Sequence, residues 1–411
     1  MSQKKCESMK KLFPVMLLFL IFGFLNHVKS QGKPKSVGYI PILAWGGPPS
    51  EANTFSRYNE LKESGITLSF TSFPDVETME KALIVAQKTG IRLIVSCPEL
   101  KTDTKNTVRR FMNNPAVTGY FLGDEPNRSS FHELAKWVKE IRSIDDRHFC
   151  YINLFPNYAN EEQLGTKTYR EYVNTFIKEV PVQLLSFDYY PIVGDDSIRK
   201  NWYENLEIFS DEARKAHKPF WAFALTVAHG PYPVPTLAEL RLQVFSDLAY
   251  GAQGIQYFTY WTPKSDIWNF HHGPITLEHK RSEIYDRIKL VNEEVRSLSR
   301  IFLDTKVVSI AFTGDSIPLG TKLLKELPEP IKELETKGTG ALVAVLKKSR
   351  NCFLVVVNRD FNGQMELTIK CDSTVEKVLK DGTLVPANDY MSTMEIDPGD
   401  IAIYKWNQDK N

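Results

Sequence analysis

Apolar and polar positions follow two rhythms along this chain. From about residue 36 to residue 300, short apolar runs rich in β-branched and aromatic residues recur. Between them, apolar residues return every third or fourth position. The first pattern suits buried strands and the second suits amphipathic helices. Eight strands are expected: Ser36–Ile42, Ile66–Phe70, Ile91–Cys97, the run from Val117 to Asp124-Glu125, Phe149–Phe155, Gln183–Tyr190, Pro219–Leu225 and Gly254–Tyr260. Helices are expected around 55–64, 76–89, 131–144, 169–178, 202–216, 237–250 and 280–298. Strands such as Ile91-Arg92-Leu93-Ile94-Val95 are apolar almost throughout, as strands covered on both faces must be. Eight strands alternating with helices over about 260 residues predict an α/β fold, a (β/α)8 TIM barrel, across residues 31–300. A doubly wound open sheet is the competing architecture, and the first turn lacks the glycine-rich loop it would carry.

Past Leu298 the rhythm shortens. Runs such as 341–346, 352–357, 365–369 and 401–406 are divided by turn-like pieces, including Asp360-Phe361-Asn362-Gly363 and Asp381-Gly382. There is no room for crossover helices, so residues 301–411 are expected to form a small antiparallel β-sandwich that packs on the barrel. The charged segment 323–336 fits either a helix or a long loop.

At the N-terminus, Lys10 and Lys11 precede an apolar run from Leu12 to Leu25, with small or polar residues at 28–31. This is the layout of a signal peptide over residues 1–30, cleaved near Ser30, and it implies a secreted or periplasmic protein with no stable membrane insertion after cleavage. An uncleaved anchor is the alternative. Beyond the leader, Cys97, Cys150, Cys352 and Cys371 are too few for a disulfide scaffold in 411 residues. Cys352 and Cys371 either pair or remain ordinary buried thiols. A formal net charge of +1 gives no electrostatic case for nucleic acid. No phosphate loop, dinucleotide fingerprint or metal-ligand spacing is present, so no cofactor and no metal are expected. The oligomeric state is left open.

Chemistry is expected at the carboxyl ends of the strands, where barrel loops vary over a rigid base. Those ends offer Trp45, Glu99, Asp124-Glu125, Asn153, Asp188, Tyr190 and Trp261, with Trp268 and His271 in the last loop. Carboxylates among aromatics suit a carbohydrate, whose ring faces stack on aromatic faces and whose acetal oxygen must be protonated to leave. Glu125 is the first candidate for general acid. Strand alternation would put Val117, Phe121 and Glu125 on one side and Asp124 on the other. Asp188 is the leading second carboxylate and Glu99 the next. Each residue also has a plainer role open to it. Asp124 and Glu125 could cap the next helix, Glu99 could begin one, Asp188 could hold a hydroxyl, and Trp45 and Trp261 could be core aromatics.

Asp124-Glu125-Pro126, Asp188-Tyr189-Tyr190-Pro191 and the phrase from Asp247 to Trp261 resemble the clan A barrel glycoside hydrolases, and most closely the bacterial β-galactosidase family 42 and its relatives. The later Phe270-His271-His272-Gly273 is similar to a loop in those enzymes. The resemblance covers about residues 36 to 300 and implies a TIM barrel with Glu125 as acid/base. It also implies that Asp124 contacts a sugar hydroxyl, that Tyr190 orients a catalytic carboxylate, and that Trp261 is the sugar platform. One feature departs from the pattern. The nucleophile Glu that ends strand seven in that clan corresponds to about Ala224 here, and the next acid is Glu239. Three outcomes follow: a displaced carboxylate (Asp188 or Glu99) takes the second role, the substrate supplies its own nucleophile, or the barrel binds carbohydrate without cutting it.

Overall fold

The computed structural model describes residues 38–194 and 197–408. The expected leader and its cleavage point lie outside the described residues. Eight parallel strands share one sheet: β1 (Ile42–Trp45), β2 (Leu68–Phe70), β3 (Arg92–Val95), β4 (Val117–Asp124), β5 (Phe149–Asn153), β6 (Leu185–Phe187), β7 (Phe220–Leu225) and β8 (Ile255–Phe258). β8 returns to pair with β1, Ile42 lying opposite Ile255. β5 and β6 meet only through the Leu154–Phe187 bridge, so the ring nearly closes into a barrel.

The first strand lies later than 36–42. Gly38 is left-handed, with φ 79°, and Pro41 has no N–H to give a ladder. Pairing therefore starts at Ile42 and carries Trp45 as the last strand residue rather than the first loop residue. The helices between strands include Val76–Thr89 and Phe131–Ile144, each bounded as the apolar spacing predicts. Asp75 and Thr168 cap their helices by accepting from the N–H three residues on. Thr236 and Glu239 form a reciprocal capping box on Leu237–Ala249. Among the described residues no helix is long and apolar enough to cross a membrane.

Alternate residues of each barrel strand face opposite ways. Leu43, Leu68, Phe70, Ile94, Phe149, Tyr151 and Trp221 fill the ring. Their neighbours Ile42, Ala44, Leu93, Val95, Tyr120, Cys150 and Ile152 pack with the helices. Both faces are dry, hence the unbroken apolar runs. Gly119 on β4 is required by this packing, because a Cβ there would stand 2.6 Å from the Phe149 ring.

After the last barrel helix (Glu283–Phe302) come nine antiparallel strands: β9 (Lys306–Phe312), β10 (Ile331–Lys337), β11 (Ala341–Lys348), β12 (Asn351–Asn358), β13 (Met365–Cys371), β14 (Glu376–Val378), β15 (Leu384–Pro386), β16 (Met394–Ile396) and β17 (Ile401–Asn407). They form a six-stranded sheet, β9-β11-β12-β17-β14-β15, and a three-stranded sheet, β10-β13-β16. Val343, Val345, Leu354 and Val356 share a core with Leu367 and Ile369 of the smaller sheet. Leu342, Ala344, Phe353 and Val355 face the other way, into the core of the barrel helices. The segment 323–336 is neither helix nor simple loop, for it enters β10, the edge strand of the smaller sheet. Only Ile331 of that strand is fully buried, so its charged remainder gave no strand pattern. Cys97, Cys150, Cys352 and Cys371 are free, buried thiols.

Candidate active site at the carboxyl ends of the strands

β4 decides the geometry. Up to Phe121 it pairs with β5 in step, Gly119 opposite Phe149 and Phe121 opposite Tyr151. The next pair is Gly123 with Ile152, so Leu122 is an extra residue, a β-bulge. The bulge reverses the phase. Asp124, expected to point away from the ring, instead lies opposite the inward-facing Asn153. Glu125 then takes a left-handed backbone, φ 46°, which is uncommon outside glycine. Its N–H donates to the Asn153 carbonyl at 2.9 Å. Asp124 and Glu125 therefore enter one site, against the simple alternation rule.

Asn153, on β5, is buried and joins the acids. Its side-chain N–H2 donates to Asp124 Oδ1 at 3.1 Å and to Asp188 Oδ1 at 2.8 Å. Its Oδ1 accepts from the Ser186 hydroxyl at 2.8 Å. Ser186 accepts in turn from Gln256 Nε2 at 2.9 Å, and the Tyr151 hydroxyl donates to Gln256 Oε1. This polar column rises through the barrel from β8 to the acids. It fixes which end of the Asn153 amide faces the carboxylates, because both amide hydrogens are used and the oxygen is taken. Ser186, Tyr151 and Gln256 look like ordinary strand residues in sequence. Only inward phase on three adjacent strands brings them together.

Asp188 follows β6 directly. Burial raises its carboxyl above the ordinary range, and the Asp124 charge adds to this; hydrogen bonds from Asn153 and Tyr190 act in the opposite direction. Glu125 is raised by burial first, then by the Asp188 and Asp124 charges, and by a hydrogen bond with Asp188 itself. No lowering contact offsets these. Asp124 is raised by burial, with Asn153 opposing. Burial and the neighbouring Asp188 charge together hold the Glu125 carboxyl above the ordinary range. Asp188 accepts from Asn153 at 2.8 Å, whereas Glu125 has no such donor among the described residues, so Glu125 is the less stabilised of the two as an anion.

An aromatic wall runs outward from this pair. Tyr190 stacks on Phe258 at 5.5 Å and meets Tyr232 edge-on at 5.8 Å. His229 lies 4.8 Å from Tyr232, 4.6 Å from Phe270 and 5.9 Å from Trp268. Trp268 is 50% exposed at the rim. Tyr158, from the loop after β5, feels the charges of Asp188 and Glu125. Tyr158 and Tyr232 were not singled out from sequence, since loop aromatics give no periodic signal, and Phe258 and Phe270 entered only as parts of longer quoted phrases.

The other candidates lie as follows. Trp45 caps the ring interior, 4.4 Å from Phe70 and 5.3 Å from Phe223. Trp261 is 8% exposed, with its ring against His279 at 4.9 Å and the Arg57 guanidinium at 5.5 Å. Glu99 begins the short helix Glu99–Thr102 and sits beside the Cys97 thiol. His271 is exposed, its Nδ1 near the Asn269 carbonyl at 2.8 Å. At the end of β7, Ala224 faces the helices, while Phe223, Leu225 and Val227 face the site. Glu239 serves the capping box, its Oε2 accepting from the Thr236 N–H at 2.5 Å. Among the described residues, no group of three metal-ligating side chains comes together.

No family model matches the chain, and no curated protein matches it in sequence. Solved structures do match. A catalytic mutant of Gan42B, a GH42 β-galactosidase from G. stearothermophilus, aligns with TM-score 0.61 at 9% identity, over 92% of this chain and 100% of that one. A family 39 glycoside hydrolase from Bacteroides cellulosilyticus WH2 aligns with TM-score 0.53 at 10% identity, over 90% and 81%. An Anoxybacillus α-amylase aligns with TM-score 0.52 at 11% identity, over 91% and 99%. The chain spans 61% and 58% of the length of β-galactosidases from Marinomonas ef1 and Halorubrum lacusprofundi. The matched structures come from several glycoside hydrolase families, and at these identities the likeness is one of barrel fold alone.

Proposed function

We propose that this protein is a glycoside hydrolase that acts on an oligo- or polysaccharide, with Glu125 as general acid and Asp188 as the second carboxylate. The observation that carries the reading is the gathering of Glu125, Asp124 and Asp188 at the carboxyl ends of barrel strands, with Asn153 bridging Asp124 and Asp188, beside an aromatic wall. Glu125 would give its proton to the bridging oxygen as the bond from that oxygen to the anomeric carbon breaks. Ionised Asp188 would stabilise the oxocarbenium ion or take a proton from the attacking water. Asp124 would bind a sugar hydroxyl, as an acceptor only. Tyr190 would hold Asp188, and Trp268 would stack on a ring further out. In this reading the chain is exported by its leader, residues from about 301 form a β-sandwich, and the barrel is nearest to family 42.

The test is a reducing-end assay on a panel of glycans with the wild type and Glu125→Gln. Product from the wild type alone supports the assignment, while equal turnover by both removes Glu125 as the acid. A second reading is supported by one observation: the inward positions at the end of β7 are Phe223, Leu225 and Val227, with no acid where a nucleophile would stand. A carbohydrate-binding barrel without hydrolysis would bind the same glycans and release no product at any pH.

A further inference from the structure

Arg199 is placed where a structural arginine has little to do. It follows the hairpin strand Ser197–Ile198, beyond β6, on the same face of the barrel as the acid pair. Its guanidinium carbon lies 4.9 Å from the Tyr158 ring and 5.7 Å from the Tyr232 ring. One Nη donates to the Tyr232 hydroxyl at 3.2 Å. The group is half-buried, and among the described residues no carboxylate stands within ion-pair distance of it. A guanidinium has five N–H donors, and one to a neutral hydroxyl leaves most of them unspent. Removing such a charge from water without a counter-ion is costly, and the cost is recovered when an anion arrives.

The surroundings are built rather than incidental. Three loops meet here, those after β5, β6 and β7. Asn157 Nδ2 donates to the Asn201 carbonyl at 3.0 Å, and Asn201 Nδ2 donates to Asn157 Oδ1 at 2.9 Å. These bonds tie the Tyr158 loop to the residue two past Arg199. Gly194 N–H donates to the Pro231 carbonyl at 2.7 Å, which ties the hairpin to the turn that carries Tyr232. Tyr158 is 40% exposed, so the cage has an open side. Tyr232 meets Tyr190 edge-on at 5.8 Å, and Tyr190 lies two residues past Asp188, so the cage adjoins the acids.

We propose that Arg199, held between Tyr158 and Tyr232, is a subsite for an anionic sugar, a ring bearing a carboxylate or a sulfate next to the bond addressed by Glu125. A planar guanidinium matches both groups with paired N–H···O bonds, and flanking rings hold it in place as a lysine would not be held. This proposal rests on the carbohydrate reading above and narrows it to acidic glycans.

The experiment measures binding by calorimetry, so that turnover is not required. The full chain and its Glu125→Gln, Arg199→Gln and Arg199→Lys variants are titrated with uronate-bearing, sulfated and neutral oligosaccharides of equal length. The expected result is a preference for one anionic set, weakening as salt rises, with the anionic-to-neutral affinity ratio falling about ten- to a hundred-fold in Arg199→Gln. Arg199→Lys should recover only part of that ratio. The uronate and sulfated arms tell the two anions apart. Melting curves confirm that each variant is folded, and Tyr232→Phe, which removes only the hydroxyl partner, is the substitute should Arg199→Gln not fold. Neutral glycans bound as tightly as acidic ones would overturn the subsite while leaving the carbohydrate reading standing. An equal loss for all sugars in Arg199→Gln would also overturn it, marking an arginine that only offsets the nearby acids. Binding of no glycan at all would remove both proposals.

Discussion

The carboxyl of Glu125 lies within reach of the Asp188 charge at the mouth of the barrel, although 62 residues and two strand–helix turns separate them in the chain. Burial keeps both above the usual carboxylate range, and their mutual repulsion keeps them from ionising together. Of these two acids only Asp188 accepts from Asn153, at 2.8 Å, and Tyr190 helps to hold its charge. In the proposed reaction that asymmetry would make Glu125 the proton donor and Asp188 the carboxylate.

Replacing Glu125 with Gln should lower hydrolysis by about 10²- to 10⁴-fold, the usual contribution of a general acid. The fold should not suffer, since one member of a repelling pair is lost and a left-handed backbone is no harder for Gln than for Glu. An unfolding free energy, from urea melts, within about 1 kcal/mol of the wild type is expected. A large loss of stability would instead mark Glu125 as structural.

The pH profile should shift with Asp188. Glu125 works while protonated, so activity should persist above the ordinary carboxylate range and fall as pH passes its raised value. Asp188→Asn removes the second cause of that rise and leaves burial, so the alkaline limb should move part of the way to lower pH. A pH–rate series on residual activity measures this, and an unmoved limb would uncouple the pair.

Stability should also carry the sign of these shifts. Between the ordinary carboxyl value and the raised one, the folded chain keeps a proton that the unfolded chain has released. Unfolding free energy therefore falls as pH rises through that window and levels above it. Glu125→Gln should flatten the slope, which urea melts across the range would detect. A slope as steep in the variant would place its origin in other groups.

Asn153→Ala should cost more than its size suggests. It strands the Ser186 hydroxyl and takes a donor from both Asp124 and Asp188, whose carboxyls should rise further. A loss of about 1–3 kcal/mol is expected. Asn153→Asp should be worse for activity, since it adds a fourth acid. Chemical denaturation together with the acid limb of the rate profile checks both.

The joint between barrel and C-terminal sheets, apolar where Leu342, Phe353 and Val355 pack, also carries a largely buried ion cluster. Arg241 pairs with Glu294 at 2.5 Å and lies 3.6 Å from Asp400, and Lys380 joins both acids. Glu294→Ala leaves Arg241 and Lys380 facing each other with a single carboxylate, and should cost about 3 kcal/mol. A single cooperative transition that moves as a whole is expected. Separate melting of the sheets would show that the cluster does not couple them.

Much of the fold is legible along the chain. Helices such as Val76–Thr89 and Phe131–Ile144 fall where apolar spacing puts them, because a two-sided helix must repeat every three or four residues to bury one face. Strand existence is equally plain, because both faces are dry. The edge strand Ile331–Lys337 left no such trace, since solvent on one side allows almost any residue there.

The candidate acids were also visible: Asp124, Glu125 and Asp188 end apolar runs, which soluble chemistry seldom wastes on a strand end. Which of them meet was not. Alternation sends Asp124 away from Glu125, and only the bulge at Leu122, seen as a slip in pairing with β5, turns it inward. The buried column from Gln256 through Ser186 to Asn153, and the cage of Tyr158 and Tyr232 around Arg199, draw on strands and loops far apart in sequence. The chain determined its own layers, because burial acts on each segment separately. Protonation and charge recognition were decided only by tertiary structure, because they depend on distances between segments that carry no information about one another.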